Sequence, residues 1–295
     1  QVVQAGSGQN PAKHAAVQAA LGGDVVALDH PDRMVASNDR EAVRAATTFL
    51  VEQGHRRIGL VAGPHGFRSA RERRQGFEDA LAVSHDGITA CKFWGMGSDG
   101  TVGANKSAIK IIGDKTPLYA QAYFSYDSKK SGGITVSHLR FGDRPINSPY
   151  LIHRADFISC SQQSYVERYD LLDGLKPGGT FLLNCSWSDA ELEQHLPVGF
   201  KRYLARENIH FYTLNAVDIA RELGLGGRFN MLMQAAFFKL AAIIDPQTAA
   251  DYLKQAVEKS YGSKGAAVIE MNQRAIELGM ASLHQVTIPA HWATL

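Results

Sequence analysis

Residues 91–112 read CKFWGMGSDGTVGANKSAIKII and place a glycine-rich turn between two different kinds of segment. The run before the turn is apolar, as expected of a buried strand, and the run after it has the spacing of apolar residues found in amphipathic helices. Gly95, Gly97 and Gly100 form the pattern G-x-G-x-x-G at this junction. A strand, a tight glycine turn and a helix in this order indicate a Rossmann-like α/β fold.

The same turn is a candidate phosphate site. In such a turn the first glycine permits the sharp bend, the second lets the backbone approach a phosphate, and the third allows the helix to pack closely on the strand. The N-terminus of the following helix offers free N–H groups and the positive end of its dipole to an anion. The residues predicted to contact a phosphate are Gly95, Gly97, Ser98, Gly100, Thr101, Gly103, Asn105 and Lys106.

Two features weaken a nucleotide interpretation of this turn. Glycine-rich strand-to-helix turns also occur without a ligand, and Asp99 adds a carboxylate that repels a pyrophosphate. An acidic residue about 20 positions downstream, which would bind a ribose, is matched only loosely by Asp114 and Asp127. The residues alone therefore leave a ligand-free structural turn as an open alternative.

Strand-like and helix-like segments alternate along most of the chain, which predicts layered α/β/α units with largely parallel sheets. Before residue 83 the pattern reads strand 25–30, helix 39–54, strand 56–63 and helix 70–82. After residue 90 the predicted helices include 163–175, a helix broken at Pro197, and the almost wholly apolar 230–244. The turn-prone segment 83–90 is predicted to link two domains, residues 1–82 and 91–295.

The overall charge balance argues against nucleic acid or anionic membranes as partners. The 295 residues carry 31 basic and 29 acidic side chains, a net charge of +2, which offers no strong field for such polyanions. No apolar run approaches the roughly 18 residues that span a bilayer, and the N-terminus lacks the features of a secretory signal. These observations predict a cytoplasmic chain without direct contact to membrane or nucleic acid.

Cysteine and histidine add little to a site prediction. The three cysteines, Cys91, Cys160 and Cys185, are too far apart for a C-x-x-C motif, and their odd number argues against a disulfide framework, which fits a reducing cytoplasm. His138, in the strand-like run VSHLRFG, is a candidate site residue, although a histidine that closes a strand is more often structural.

Residues 91–295 closely resemble the central, gamma-type domain of pyruvate:ferredoxin (flavodoxin) oxidoreductases. The runs that carry the resemblance are GSDGTVGANK at 97–106, YDSKKSGG at 126–133, YDLLDGLKPGGTFLLN at 169–184 and VTIPAHWATL at 286–295. The resemblance implies oxidative decarboxylation of pyruvate to acetyl-CoA with thiamine diphosphate and [4Fe-4S] clusters, and ferredoxin or flavodoxin as the electron carrier. It also implies coenzyme A as a substrate, whose phosphates the turn at 95–106 is expected to receive.

The chain departs from the complete enzyme of that family. It has no C-x₂-C-x₂-C ligand run for a cluster, and the family's thiamine diphosphate domains have no counterpart in it. We therefore expect one domain of a larger enzyme, inactive alone, whose partners are the remaining domains; a homodimer is one expected assembly. The catalytic residues are not identified by the sequence.

Residues 24–82 resemble a second family, the effector-binding core of LacI-type transcription regulators. The runs EQGHRRIGLVAGP at 52–64 and SARERRQGF at 69–77 carry this resemblance, which implies that Arg73 touches a small-molecule effector. A helix-turn-helix and the second lobe of such a regulator are not found. The competing functional hypothesis is thus a sugar- or nucleobase-sensing module, and a third is a misjoined polypeptide with no function of its own. Two partial families that meet near residue 83 indicate a hybrid chain, whether natural, engineered or an artefact.

Overall fold

The computed structural model describes residues 2–3, 39–52, 58–60, 67–83, 87–127, 132–146, 148 and 150–295. The chain divides into two compact units, Gln1–Asp86 and Gly87–Leu295. This division falls within the predicted linker 83–90, but a strand of the second unit already begins at Ile88, so the last linker residues are strand.

The described residues of the first unit form two packed helices and a short two-stranded sheet. Its elements are β1 (Val2–Val3), α1 (Asp39–Glu52), β2 (Gly59–Leu60) and α2 (Arg68–Val83), with β1 parallel to β2. The helices approach closely at Gly76, where an added Cβ would lie 1.9 Å from the Arg40 carbonyl oxygen. Both predicted helices are confirmed; the predicted strand 25–30 lies outside the described residues, and of strand 56–63 only β2 is described as strand.

The second unit is built on one seven-stranded sheet. Its strands are β3 (Ile88–Met96), β4 (Tyr119–Tyr126), β5 (Ile134–Gly142), β6 (Ala155–Cys160), β7 (Leu175–Asn184), β8 (His210–Leu214) and β9 (His284–Gln285). Its helices are α3 (Thr101–Lys115), α4 (Asp189–His195), α5 (Val198–Arg206), α6 (Ala216–Glu222), α7 (Asn230–Ala241), α8 (Pro246–Tyr261) and α9 (Ala266–Ala281). Pro197 separates α4 from α5, as predicted.

The strand order is β4-β5-β3-β6-β7-β8-β9. β3, β6, β7 and β8 pair in parallel, whereas β5 runs antiparallel to both of its neighbours and β9 antiparallel to β8. Five of the seven strands therefore point the same way. The predicted α/β class with largely parallel strands is confirmed, and the sequence pattern did not show the antiparallel pairing of β5 with β3.

Alternating side chains of the central strands bury both faces of the sheet. Phe93 and Leu182 face a core formed with α3, α6, α7, α8 and α9, and Phe181 and Leu183 face a second core formed with α4, α5 and the C-terminal 3-10 turn. In the first core the Phe237 ring of the apolar helix α7 lies 4.9 Å from that of Phe93, centroid to centroid. Helices on both faces make the α/β/α layering that the sequence predicted.

The predicted helix 163–175 is wrong. Only Gln163–Glu167 forms a 3-10 turn, and the chain then bends to enter β7 at Leu175. The bend depends on Gly174, whose φ of 75° lies in the left-handed region and whose added Cβ would meet the His153 carbonyl oxygen at 1.7 Å. A helix cannot continue through that backbone conformation.

Within the part of the chain that the structure describes, every helix is too short or too polar to cross a lipid bilayer.

Candidate functional site

The carboxyl ends of β3, β6, β7 and β8 meet at one edge of the sheet, because these strands are parallel neighbours. The order also reverses here, since the chain leaves β3 toward β5 and β4 and later returns to β6 on its other side. Ligands of open α/β sheets bind outside such strand ends, at the point of reversal. The turn after β3 and the loop after β6 are therefore the candidate ligand-binding region of the sheet.

The glycine turn is held by backbone bonds to the beginning of β5. The Gly97 amide donates to the Gly133 carbonyl oxygen at 2.7 Å, and the Gly132 amide donates to the Gly97 carbonyl oxygen at 3.3 Å. Two residues of the turn have positive φ, Ser98 at 76° and Gly100 at 88°, and α3 begins directly afterwards. The predicted strand, turn and helix are thus confirmed.

The Asp99 carboxylate occupies the centre of the turn. One oxygen accepts from the Met96 amide at 2.8 Å and from the Ser161 hydroxyl at 3.0 Å, and the other accepts from the Thr101 amide at 2.8 Å. A carboxylate at the first amide of a helix complements the positive end of its dipole, as a bound phosphate does in other proteins. Part of the anion site predicted at this helix terminus is therefore filled by the chain itself.

Three of the predicted phosphate contacts face inward in this structure, and their role in phosphate binding stays a prediction. Thr101 is 7% exposed, and its hydroxyl is bonded to Asn230 Oδ1 at 3.4 Å and to Ser161 Oγ at 3.2 Å. Asn105 is buried among the helices at 6% exposure. Gly95 lies in β3, where a Cβ would come within 2.7 Å of Thr101 Cβ, so its role is to let α3 pack on the strand.

Of the remaining predicted contacts, Gly97, Ser98 and Gly100 line a cavity of about 480 Å³ beside the turn, and Asp99 and Asp127 line it too. Ser98 and Gly103 are exposed. Among the described residues, the amides of Val102 and Gly103 have no hydrogen-bond acceptor, as expected for the first turn of a helix. Lys106, one turn after Val102, is exposed and holds its Nζ 5.3 Å from the centre of the Phe124 ring.

A second cavity, of about 560 Å³, lies over the ends of β6, β7 and β8. Polar residues that directly follow these strands, or end them, line it: Ser161, Asn184 and Asn215. Asn184 joins two of the loops, donating to the Ser161 carbonyl oxygen and accepting from the Ala216 amide, each at 3.1 Å. These residues were not among the contacts predicted from the sequence, although a polar residue at the end of each apolar strand is a usable signal.

His138 is a structural histidine in this fold, as the alternative interpretation held. It is 7% exposed, and its Nδ1 accepts from the Ile152 amide at 3.1 Å, which makes Nε2 the protonated nitrogen of the neutral ring. Burial, together with the nearby cations Lys92 and Arg140 and with His153, lowers the pKa of His138 to about 4. The ring therefore stays neutral at physiological pH.

Acid is expected to destabilise the second unit through His138. Its folded-state pKa of about 4 lies below the ordinary value of 6.5, so between these values the unfolded chain binds more protons. Stability is complete above pH 6.5 and falls, by up to about 1.4 kcal/mol per pH unit, as the pH drops toward 4. Urea unfolding of wild type and of His138→Asn, whose Oδ1 can accept from the Ile152 amide, at pH 7.5 to 4.5 measures the difference in slope.

The substitution of the exposed His210 by asparagine serves as the control for this pH series. Other groups titrate in the same range, but they contribute equally to all three proteins. We expect a shallower loss in His138→Asn only. Equal slopes in wild type and His138→Asn would show that His138 is not the group responsible.

Arg73, the predicted effector contact, lies on α2 in the first unit. Its Nε is 3.6 Å from Asp39 Oδ1 at the start of α1, and its side chain is 37% exposed. The described contact is therefore an ion pair between the two helices. A role in effector binding stays a prediction.

The cysteines do not fit an iron–sulfur cluster. All three are free and buried, and burial raises the pKa of the Cys160 thiol to about 12 and that of Cys185 to about 11, which opposes the thiolate form that a cluster requires. Within the described ranges, no group of three or more histidine, cysteine or acidic side chains is placed to hold a metal ion.

The second unit has the fold of a known class of oxidoreductase domains. The pyruvate oxidoreductase subunit PORC from Thermotoga maritima superposes with a TM-score of 0.55 at 18% identity, over 68% of this chain and 98% of that subunit. The 2-oxoglutarate:ferredoxin oxidoreductase from Magnetococcus marinus gives a TM-score of 0.53 at 17% identity, over 70% of this chain and 34% of that one. At such low identity the likeness concerns the fold.

The chain belongs to the pyruvate ferredoxin/flavodoxin oxidoreductase family, whose profile matches residues 90–282. It is 99% identical over 218 residues to the pyruvate-flavodoxin oxidoreductase of Klebsiella pneumoniae, and 52% identical over 216 residues to the pyruvate:ferredoxin oxidoreductase of Moorella thermoacetica. These matches cover 74% and 73% of this chain but 19% and 18% of those proteins. The chain thus spans about a fifth of the length of its curated relatives.

A second profile, for a periplasmic binding protein-like domain, matches residues 47–128 and overlaps the first. It supports the second resemblance for the part of residues 24–82 that it covers. The oxidoreductase relationship is therefore found, and the LacI-type resemblance has weak support from this short match.

Proposed function

We propose that the second unit is the domain that receives coenzyme A in an enzyme that oxidatively decarboxylates pyruvate to acetyl-CoA. The observation that carries the proposal is the open N-terminal turn of α3, where the amides of Val102 and Gly103 have no acceptor among the described residues and Val102 lines a cavity of about 480 Å³. Free helical amides and the dipole of a 15-residue helix favour a phosphate group at that position. The family relationship adds pyruvate and acetyl-CoA chemistry to this geometry.

The phosphate contacts that we propose differ from the sequence prediction. Ser98, Gly103 and Lys106 are exposed and Val102 is half-buried, whereas Thr101 and Asn105 are buried. At Gly103 an added Cβ would meet no atom within 4 Å, so the backbone there is open to a ligand. Asp99 lines the same cavity, as does Asp127, but both oxygens of the Asp99 carboxylate accept hydrogen bonds within the turn.

The rest of the reaction is assigned in this proposal to parts of the longer relatives that lie outside this chain. Thiamine diphosphate, when bound there, supplies the carbanion chemistry of decarboxylation, and iron–sulfur clusters pass electrons to ferredoxin or flavodoxin. In this proposal the described residues of this chain bind and orient coenzyme A and take no part in that electron transfer. We further propose that the chain docks to the remaining domains and that the enzyme is a homodimer. A cytoplasmic location is also proposed, because the free thiols favour a reducing compartment.

Removing the charge of Lys106 is expected to weaken coenzyme A binding about tenfold. The reason is the loss of one ionic hydrogen bond to a phosphate, which contributes about 1.5 kcal/mol or more. Isothermal titration of the chain with coenzyme A measures the dissociation constants of wild type and Lys106→Ala. Lys110→Ala, also exposed and one turn further along α3, is the matched control and should bind like wild type.

An affinity that Lys106→Ala leaves unchanged would contradict the proposed phosphate site. A loss of equal size in both lysine variants would indicate a general electrostatic effect of the helix rather than a contact. Titration with pantetheine, which has no phosphate, is expected to give no difference between the three proteins.

A further inference from the structure

Helix α7 is apolar over most of its length but carries two polar residues four positions apart, Asn230 and Gln234. Residues at this spacing lie on the same side of a helix. Helix α3 has a similar pair at the same spacing, Thr101 and Asn105, and both of these side chains are buried. The first members of the two pairs meet directly, through the 3.4 Å hydrogen bond from the Thr101 hydroxyl to Asn230 Oδ1.

The second members of the pairs are not satisfied in the same way. Gln234 is 4% exposed, and both its Oε1 and its Nε2 are buried without a hydrogen-bond partner among the residues that the structure describes. The same holds for Nδ2 of Asn105, at 6% exposure. Both residues line one small cavity of about 20 Å³, which also borders Ser159 and Trp94.

The volume and the chemistry of this cavity define its ligand. A cavity needs about 10–15 Å³ to hold one water molecule, so this one accommodates a single water. The two amide nitrogens require an acceptor and Gln234 Oε1 requires a donor. A water molecule supplies both an acceptor and a donor. A cation would leave the amide nitrogens without an acceptor, and an anion would leave the carbonyl oxygen without a donor.

We propose that this cavity binds one ordered water, which accepts from Asn105 Nδ2 and donates to Gln234 Oε1. The water joins α3 to α7 one turn below the direct Thr101–Asn230 contact. Asn105 and Gln234 are therefore positioning residues that hold the start of α3, and the proposal does not depend on which ligand the turn binds. It also explains why an apolar helix retains a buried glutamine, since an amide that bridges through water fixes how the two helices align.

Unfolding of the full chain tests the proposal with Gln234→Met, which keeps a similar length and removes both polar atoms. If the water is present, the substitution removes it and leaves the buried Asn105 amide without an acceptor. We therefore expect the melting temperature to fall by about 4–8 °C. Gln247→Met, at an exposed position of α8, is the matched control and should shift by less than about 1 °C. A melting temperature that is unchanged or raised in Gln234→Met would overturn the proposal, because replacing an unpartnered amide is then neutral or favourable.

Electron density provides the second measurement, which does not depend on the folding of a variant. In a crystal structure of the chain at a resolution that shows ordered waters, one peak within hydrogen-bond distance of both Asn105 and Gln234 is the expected result. A direct hydrogen bond between the two amides, or a cavity without density, would overturn the proposal.

Discussion

Replacing Asp99 by alanine is expected to lower the free energy of unfolding of the second unit by about 3–5 kcal/mol. The carboxylate accepts hydrogen bonds from two backbone amides and from the Ser161 hydroxyl, and bonds to a charged group contribute about 1.5–3 kcal/mol each. The residue is half-buried, so water replaces part of what is lost. Chemical denaturation of the purified chain measures the change.

Asp99→Asn separates the hydrogen bonds from the charge. Its one carbonyl oxygen can accept from the Thr101 amide or from the Met96 amide but not from both, so we expect a loss of about half that of alanine. If Asp99→Ala stays within about 1 kcal/mol of wild type, the carboxylate does not organise the turn. The turn would then be held by its backbone bonds to Gly132 and Gly133 alone.

Gly95→Ala is expected to cost about 2–3 kcal/mol of stability, whereas Gly97→Ala costs less than about 1 kcal/mol. A methyl group at residue 95 would lie 2.7 Å from Thr101 Cβ, and Thr101 is fixed by its bonds to Ser161 and Asn230, so α3 must move away from β3. At residue 97 the nearest atom is the Gly133 carbonyl oxygen at 3.4 Å, which is an ordinary contact.

The two alanine variants are matched controls for each other, since each adds one methyl group to the same motif. Urea denaturation of both proteins measures the contrast. The reverse order of stability would mean that the second glycine, and not the first, is the one that close packing requires. Coenzyme A titration of Gly97→Ala adds a functional measurement on a protein whose turn is intact.

Asp99 also changes how the glycine motif is understood. From the sequence, the negative charge of Asp99 argued against a phosphate ligand. In the structure, its carboxylate accepts hydrogen bonds from residues of the turn and so stabilises it. Its two oxygens accept from the Met96 and Thr101 amides, which leaves the amides of Val102 and Gly103 without an acceptor among the described residues. A ligand phosphate is therefore expected beside the turn instead of at its centre.

The local spacing of apolar residues, glycine and proline in the sequence determined many of the helices, strands and turns of this protein. The strand, glycine turn and helix around residues 91–112, the break at Pro197 and the apolar helix that became α7 all follow from periodicity and from the conformational limits of glycine and proline. These signals depend only on residues that are close in the sequence. The α/β class and the family resemblance could therefore be predicted from the sequence alone.

Only the tertiary structure decided which groups meet. Asp99 is joined to Ser161, 62 residues away, and to the Asn230 amide, 131 residues away, and the antiparallel pairing of β5 with β3 likewise joins separate segments. The bend at Gly174 depends on the His153 carbonyl oxygen, which no local pattern shows. Such contacts form when distant segments pack to bury both faces of the sheet, and that packing determined which of the predicted phosphate contacts face outward and which are buried.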